Sequence, residues 1–246
     1  MTRYLFPMFL GLLSVFALTL QTGAAEIVRL AHDDPFPPFA VHKDGVSGGI
    51  VIDILQEALK RVDIQPVFIP AHMDKIQDLV KAGEADGLAF LGITADREKL
   101  YDFSEPLLIT GGALFVRAPQ PSPSGPAEFE GKMVVTPLKG PLAAYIKNQF
   151  PRVNLVTVED YPEALKAVLE QKANAAALNP QVGIHLANQL FPGNFTYPKS
   201  VFLKVPLAVA VLKGTHAALL QKINEGLQKI NADGSYATIT EKWANK

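Results

Sequence analysis

The chain contains no cysteine in 246 residues. That one absence removes disulfides, thiolate metal sites and cysteine nucleophiles together. A small exported domain with too little core leans on disulfides, so an exported chain without them must be large enough to be stabilised by burial. The cysteine that a lipid-anchored secreted protein carries at its cleavage site is missing too. Charge of one sign is not in excess: 23 Lys and Arg stand against 24 Asp and Glu. With no basic run interleaved with aromatics, neither nucleic acid nor an anionic membrane surface is an expected partner. Neither Gly-Gly pair, at 48–49 or 111–112, sits in a nucleotide-binding fingerprint, and the five histidines lack metal-ligand spacing. No Ser-His-Asp arrangement can be read from spacing, and no cofactor is expected.

Long apolar runs are also scarce, with one exception. Leu5 to Leu20 is almost unbroken apolar sequence, preceded by Arg3 and followed by Thr22-Gly23-Ala24-Ala25. A basic start, an apolar middle and a small-residue exit predict a secretory signal peptide over residues 1–25. A membrane span would need a run of about 20 apolar residues, longer than this one. Cleavage after Ala25 leaves 221 residues, enough for one large domain or two lobes. The mature protein is expected to be soluble and free in the periplasm, without a lipid anchor.

What remains alternates short apolar runs with helical patterns, which predicts an α/β fold with largely parallel sheets. Strands are expected at Ile27 to Ala31, Val67 to Ile69, Gly87 to Leu91, Met133 to Thr136, Ala175 to Leu178 and Leu207 to Leu212. Apolar residues at Ile50, Ile54, Leu55, Ala58, Leu59 and Val62 form a helical stripe. Further helices are expected at Met73 to Ala82 with Gly83 as its cap, Pro141 to Gln149, Tyr161 to Glu170, Ala217 to Asn231, and a last one ending at Trp243. Ala118 to Pro126, rich in proline and serine, has the composition of an interdomain linker. The strand–helix rhythm resumes directly after it.

Three stretches carry a resemblance. The first is His32-Asp33-Asp34-Pro35-Phe36-Pro37-Pro38-Phe39, followed by Gly49-Ile50-Val51-Ile52-Asp53. The second is Gly83-Glu84-Ala85-Asp86, then Ile93-Thr94-Ala95-Asp96-Arg97 and Tyr101-Asp102-Phe103-Ser104-Glu105-Pro106. The third is Asn231-Ala232-Asp233-Gly234-Ser235-Tyr236 through Trp243. Together they resemble the polar-amino-acid type of periplasmic solute-binding protein, family 3, the receptor of ABC importers. The resemblance implies a two-lobe clamshell of type II with two crossover strands. Lobe 1 would comprise residues 26–106 plus 207–246, and lobe 2 residues 107–206. Ligand would sit in the interlobe cleft, outside the carboxyl ends of the strands.

The same resemblance assigns site residues. Arg97, in its Ile-Thr-x-x-Arg context with Thr94, would bind a ligand carboxylate, for which a planar guanidinium is suited. Phe36 would form an apolar wall, and Asp33 would accept a hydrogen bond from a ligand amine. His72 or Met73 would face the ligand from the neighbouring strand end. Three positions depart from the family. Gly92 replaces a frequent hydroxyl, Gly140-Pro141 replaces a Gly-Thr/Ser turn, and Asn179 stands where an aspartate grips the α-ammonium. Proline supplies neither hydroxyl nor N–H, and an amide cannot neutralise a buried ammonium. A simple carboxylate or an uncharged-amine compound fits these changes better than a zwitterionic amino acid. Lys139 beside the turn adds a positive charge.

The expectation is a non-enzymatic receptor, monomeric, whose partners are a carboxylate or amino-acid-like ligand and the membrane subunits of an ABC transporter. Two alternatives share the fold. One is a dehydratase of the cyclohexadienyl type, for which Asp33, Glu105 or His72 would have to supply an acid. The other is a ligand-sensing partner of a membrane receptor.

Overall fold

The first strand–helix alternation builds a parallel unit around strand β1 (Glu26–Asp33). The computed structural model of the chain describes residues 26–244, so the expected signal peptide lies outside the described residues. A short hairpin, β2 (Val41–Lys43) and β3 (Val46–Gly48), leads into helix α1 (Ile50–Lys60). Strand β4 (Ile64–Ala71), helix α2 (Met73–Lys81) and strand β5 (Gly87–Gly92) follow. β1 pairs in parallel with β4 on one side and β5 on the other. β5 is buried along its whole length, as expected of a strand with helices over both faces.

After a short 3-10 turn at Arg97–Lys99 and strand β6 (Tyr101–Phe103), the ten-residue strand β7 (Leu108–Arg117) leaves this unit. A second unit then forms from β8 (Met133–Pro137), α3 (Leu142–Gln149), β9 (Asn154–Val158), α4 (Tyr161–Leu169), β10 (Ala175–Leu178), α5 (Pro180–Leu190) and β11 (Phe195–Thr196). The chain returns along β12 (Leu203–Leu212) and ends in α6 (Ala217–Ala232) and α7 (Ser235–Ala244).

The strands run in the order β4-β1-β5-β12-β7-β10-β8-β9, with β6 beside β12 and β11 beside β7. β7 leaves and β12 comes back, so the two pair antiparallel at the join, Leu108 to Gly112 against Leu207 to Leu203. The sheets are therefore parallel at their flanks and antiparallel at the centre, a mixture that the expectation of largely parallel strands did not include. Gly111 makes this crossing possible, because a Cβ there would stand 1.8 Å from the carbonyl oxygen of Leu203. The proline-rich stretch before residue 126 does not connect the units. It lies along the second one, where Thr196 Oγ1 donates to the Gln120 carbonyl and the Lys199 N–H donates to Ser122.

The family-like motifs mostly brace this frame. Asp53, in the first turn of α1, accepts from Lys242 Nζ at 2.8 Å and from Trp243 Nε1 at 2.9 Å, which ties α7 to α1. Asp86 accepts from the backbone and guanidinium of Arg29. Ser104 Oγ accepts from the Val209 N–H, and Asp102 pairs with Lys213. These are sheet and helix fastenings, made where the chain turns.

Candidate functional site

The site lies between the two units, where the β1, β4 and β5 ends face the loops before α3, α4 and α5. Asp33 closes β1 and is buried, 8 % exposed. Burial pushes its carboxyl up to about 6, against the pull of His72 and of the backbone N–H groups of Met73 and Asp34. Met73 is the first residue of α2 and His72 its N-cap, so a carboxylate here meets the positive end of the helix. The His72 side chain itself is exposed, with Nδ1 3.4 Å from Asp74. It stands at the rim.

Phe36 sits in the turn after β1, fixed by its N–H to the Ala40 carbonyl. Its ring stacks on Phe39 at 5.6 Å and on Phe90 of β5 at 6.1 Å between centroids. Three aromatic rings thus make a platform at this end of the cleft.

Arg97 follows β5 and turns back over it. Its backbone N–H reaches Thr94 Oγ1 at 3.4 Å, so Thr94 shapes the turn. Arg97 Nη1 donates to the Gly92 carbonyl at 2.9 Å. No ion pair to a carboxylate forms at Arg97 among the described residues, and burial draws its pKa down. A guanidinium stays charged under such a shift, so it presents free donors to an anion. Gly92 supplies the room: a Cβ there would lie 3.1 Å from Arg97 Nη1 and 2.9 Å from Val205 Cγ1.

Opposite Arg97, Lys139 and Gly140 form an exposed turn before α3, with Gly140 at φ 108°. Lys139 reaches across to pair with Asp74 of α2. Between them is a cavity of about 330 Å³, lined among others by Met73, Gln77, Asp78, Arg97 and Gly140. Its cations are Lys81, Arg97 and Lys139, and its carboxylates are Asp74 and Asp78. That balance leaves one positive charge over.

Asn179 has an internal duty. It is the N-cap of α5, where Oδ1 accepts from the backbone N–H groups of Gln181 and Val182. Its Nδ2 donates to Thr110 Oγ1 at 2.7 Å, and Thr110 donates onward to Gln181. This network fastens α5 to the crossover strand β7. Glu105, a candidate acid for turnover, is exposed and does not line the cavity. Among the described residues no group of three His, Cys, Asp or Glu side chains is placed to hold a metal.

Sequence reasoning missed Tyr161. It opens α4, next to Asp160, whose side chain caps the helix through the Glu163 N–H. The Tyr161 ring meets Phe36 edge-on at 6.0 Å. It packs against the core of the first unit and that of the second. Burial pushes its phenol well above the usual range, with Asp33 adding to the rise and the Asn179 backbone opposing it. An aromatic directly after a helix-capping aspartate was the one available signal, and it resembles any helix start.

The family model described as bacterial extracellular solute-binding proteins, family 3, matches residues 28–246. The chain is 24% identical over 222 residues to the virulence sensor protein BvgS of Bordetella bronchiseptica, covering 88% of this chain and 18% of BvgS. It therefore spans less than a fifth of that relative. It is 26% identical over 234 residues to the putative ABC transporter arginine-binding protein 2 of Escherichia coli, covering 93% of this chain and 95% of that one. The solved structure of an ancestral arginine-binding protein bound to glutamine matches with a TM-score of 0.75 and 26% identity, over 89% of this chain and 98% of that one. The chain belongs to family 3 of the bacterial extracellular solute-binding proteins, and its fold is the two-lobe clamshell of that family.

Proposed function

We propose that this protein is a periplasmic receptor that captures a small carboxylate, or an amino-acid-like acid, between its lobes and delivers it to an ABC importer. The observation that carries the reading is Arg97, a partly buried guanidinium that turns one nitrogen to a backbone carbonyl, has no carboxylate partner among the described residues and faces a cavity. A charge taken out of water without a counter-ion is expensive, and a ligand carboxylate supplies the missing half. In this proposal the lobes are residues 26–106 with 207–246, and 107–206. Thr94 and Gly92 position Arg97, Phe36 walls the cleft, and Asp33, His72, Met73, Gly140 and Asn179 frame it. The receptor acts as a monomer after export, without a lipid anchor.

Ligand bridging both lobes favours the closed form, which a membrane partner then recognises. Nothing in that cycle needs a bond to be made or broken. The family consists mainly of non-enzymatic binding proteins, and binding without turnover is the reading here. A second reading has its own support. The match to a sensor protein, BvgS, favours a receptor whose closed form is read by a signalling partner instead of an importer.

A thermal-shift screen against small carboxylic acids, amino acids, amines and prephenate tests the proposal. Ligand at about 100 times its dissociation constant stabilises the native state by about 2.7 kcal/mol. Stabilisation by carboxylates with no product formed is the expected result. Turnover of prephenate would replace the receptor by a dehydratase.

A further inference from the structure

We infer that Tyr161 sets the size of the ligand: it fills the aromatic end of the interlobe cleft with the chain's own ring and confines binding to the Arg97 end. The ligands admitted are then carboxylates of a few carbons, and acids with an aromatic or long side chain are refused. This rests on the reading of the cleft as a carboxylate site.

The argument begins at the platform. Phe36, Phe39 and Phe90 stack on one lobe, and a ligand side chain would be expected to lie on them. Tyr161 comes from the other lobe and takes that contact itself, edge-on to Phe36 with the rings at 78°. An edge-to-face pair is a favourable arrangement, so this is a stable occupancy. The backbone beneath it is fixed as well. Asp160 accepts from the Glu163 N–H at 2.8 Å, and Glu163 accepts from the Glu159 N–H at 2.9 Å, so two bonds hold the start of α4. Tyr161 is thus built into the cleft.

Free room lies at the Arg97 end. The cavity of about 330 Å³ touches Met73, Gln77, Arg97 and Gly140 but not Phe36, Tyr161 or Asp33. Ligand pockets span roughly 300–1,000 Å³, so this one lies at the small end. Among the described residues its ion pairs, Asp74 with Lys139 and Asp78 with Lys81, leave Arg97 as the lining cation without a carboxylate partner. One carboxylate matches that charge.

Pyruvate and phenylpyruvate test the inference, because they share a head and differ by one ring. Calorimetric titration of the wild type should show pyruvate bound at least about a hundredfold more tightly than phenylpyruvate. Tyr161→Ser should raise phenylpyruvate affinity at least roughly tenfold and leave pyruvate within about threefold, whereas Tyr161→Phe should keep the wild-type preference. If Tyr161→Ser does not fold, Tyr161→Leu carries the same expectation. Equal affinity of the wild type for both acids overturns the inference. So does an unchanged preference in a folded Tyr161→Ser, while pyruvate binding that Arg97→Ala abolishes leaves the carboxylate reading standing. Binding of neither acid, or pyruvate binding that survives Arg97→Ala, overturns that reading and this inference together.

Discussion

Phe36 and Tyr161 meet across the cleft with their ring centroids 6.0 Å apart and their planes at 78°. One follows the first strand of one lobe, and the other opens a helix of the opposite lobe. Nearby, Lys139 of the second lobe pairs with Asp74 of the first. The two lobes thus touch through side chains of the chain itself, one contact apolar and one ionic.

The ionic contact is half-exposed, with Lys139 and Asp74 43% and 54% accessible. Pairs of this kind contribute about 0–1 kcal/mol to folding. Lys139→Ala should therefore melt close to the wild type, yet shift the lobes apart. Small-angle scattering would show a larger radius of gyration for the variant. An unchanged radius would mean that Lys139 does not help to close the cleft.

Asp33 gives a pH signature. Its folded carboxyl titrates at about 6, above its ordinary 3.8, so the folded protein keeps a proton that the unfolded chain releases. This contribution to stability is fully present below pH 3.8 and is lost as pH rises through 6. At neutral pH the buried charge costs at most about 3 kcal/mol. Asp33→Asn should be more stable than the wild type at neutral pH, with the gap closing as pH falls towards 4. Urea unfolding across that range checks it, and parallel profiles would contradict it.

Gly92 should be intolerant for a local reason. Its absent side chain is the space between Val205 and Arg97 Nη1. Gly92→Ser crowds that space, destabilises the fold by about 1–3 kcal/mol and weakens carboxylate binding by moving the guanidinium. Melting and titration of one sample separate the two effects. Undiminished affinity would show that Arg97 does not depend on Gly92 for its position.

Much of the fold is legible in the sequence. The stripe from Ile50 to Val62 became α1, and Gly83 stands just past the end of α2 with φ 73°. Strand β5 was expected because an apolar run flanked by glycine suits a buried strand. Strand β9 and helix α5 are not among the expected elements, whereas β7 begins at Leu108, just past the 106/107 boundary where the resemblance puts a crossover strand. β9 is largely exposed, and β7 runs through two glycines required by the crossing at Gly111. Helix α5 begins at Pro180, and its signal is the capping Asn179, a residue weighed instead as a ligand group. Arg97 is named by a motif that is local in the sequence. Tyr161 has no such motif, since the ring it meets, Phe36, is 125 residues away.

Asn179 itself gives a cleaner test of local structure. Removing the side chain takes away the cap on Gln181 and Val182 and the bond to Thr110. Asn179→Ala should cost about 1–2 kcal/mol, and Asn179→Asp, which can still cap the helix, should cost less. Thermal unfolding of both variants decides it. A gain in amino-acid binding by Asn179→Asp would show the position turning from its cap toward the ligand.

The most direct test is a calorimetric titration of the wild type and Arg97→Ala with a panel of small carboxylic acids. The substitution should weaken every carboxylate that binds by about 2–5 kcal/mol and leave the cooperative unfolding of the protein intact. Carboxylates that bind the two proteins equally well would contradict the account, because the Arg97 guanidinium that faces the cavity would then have no part in capture.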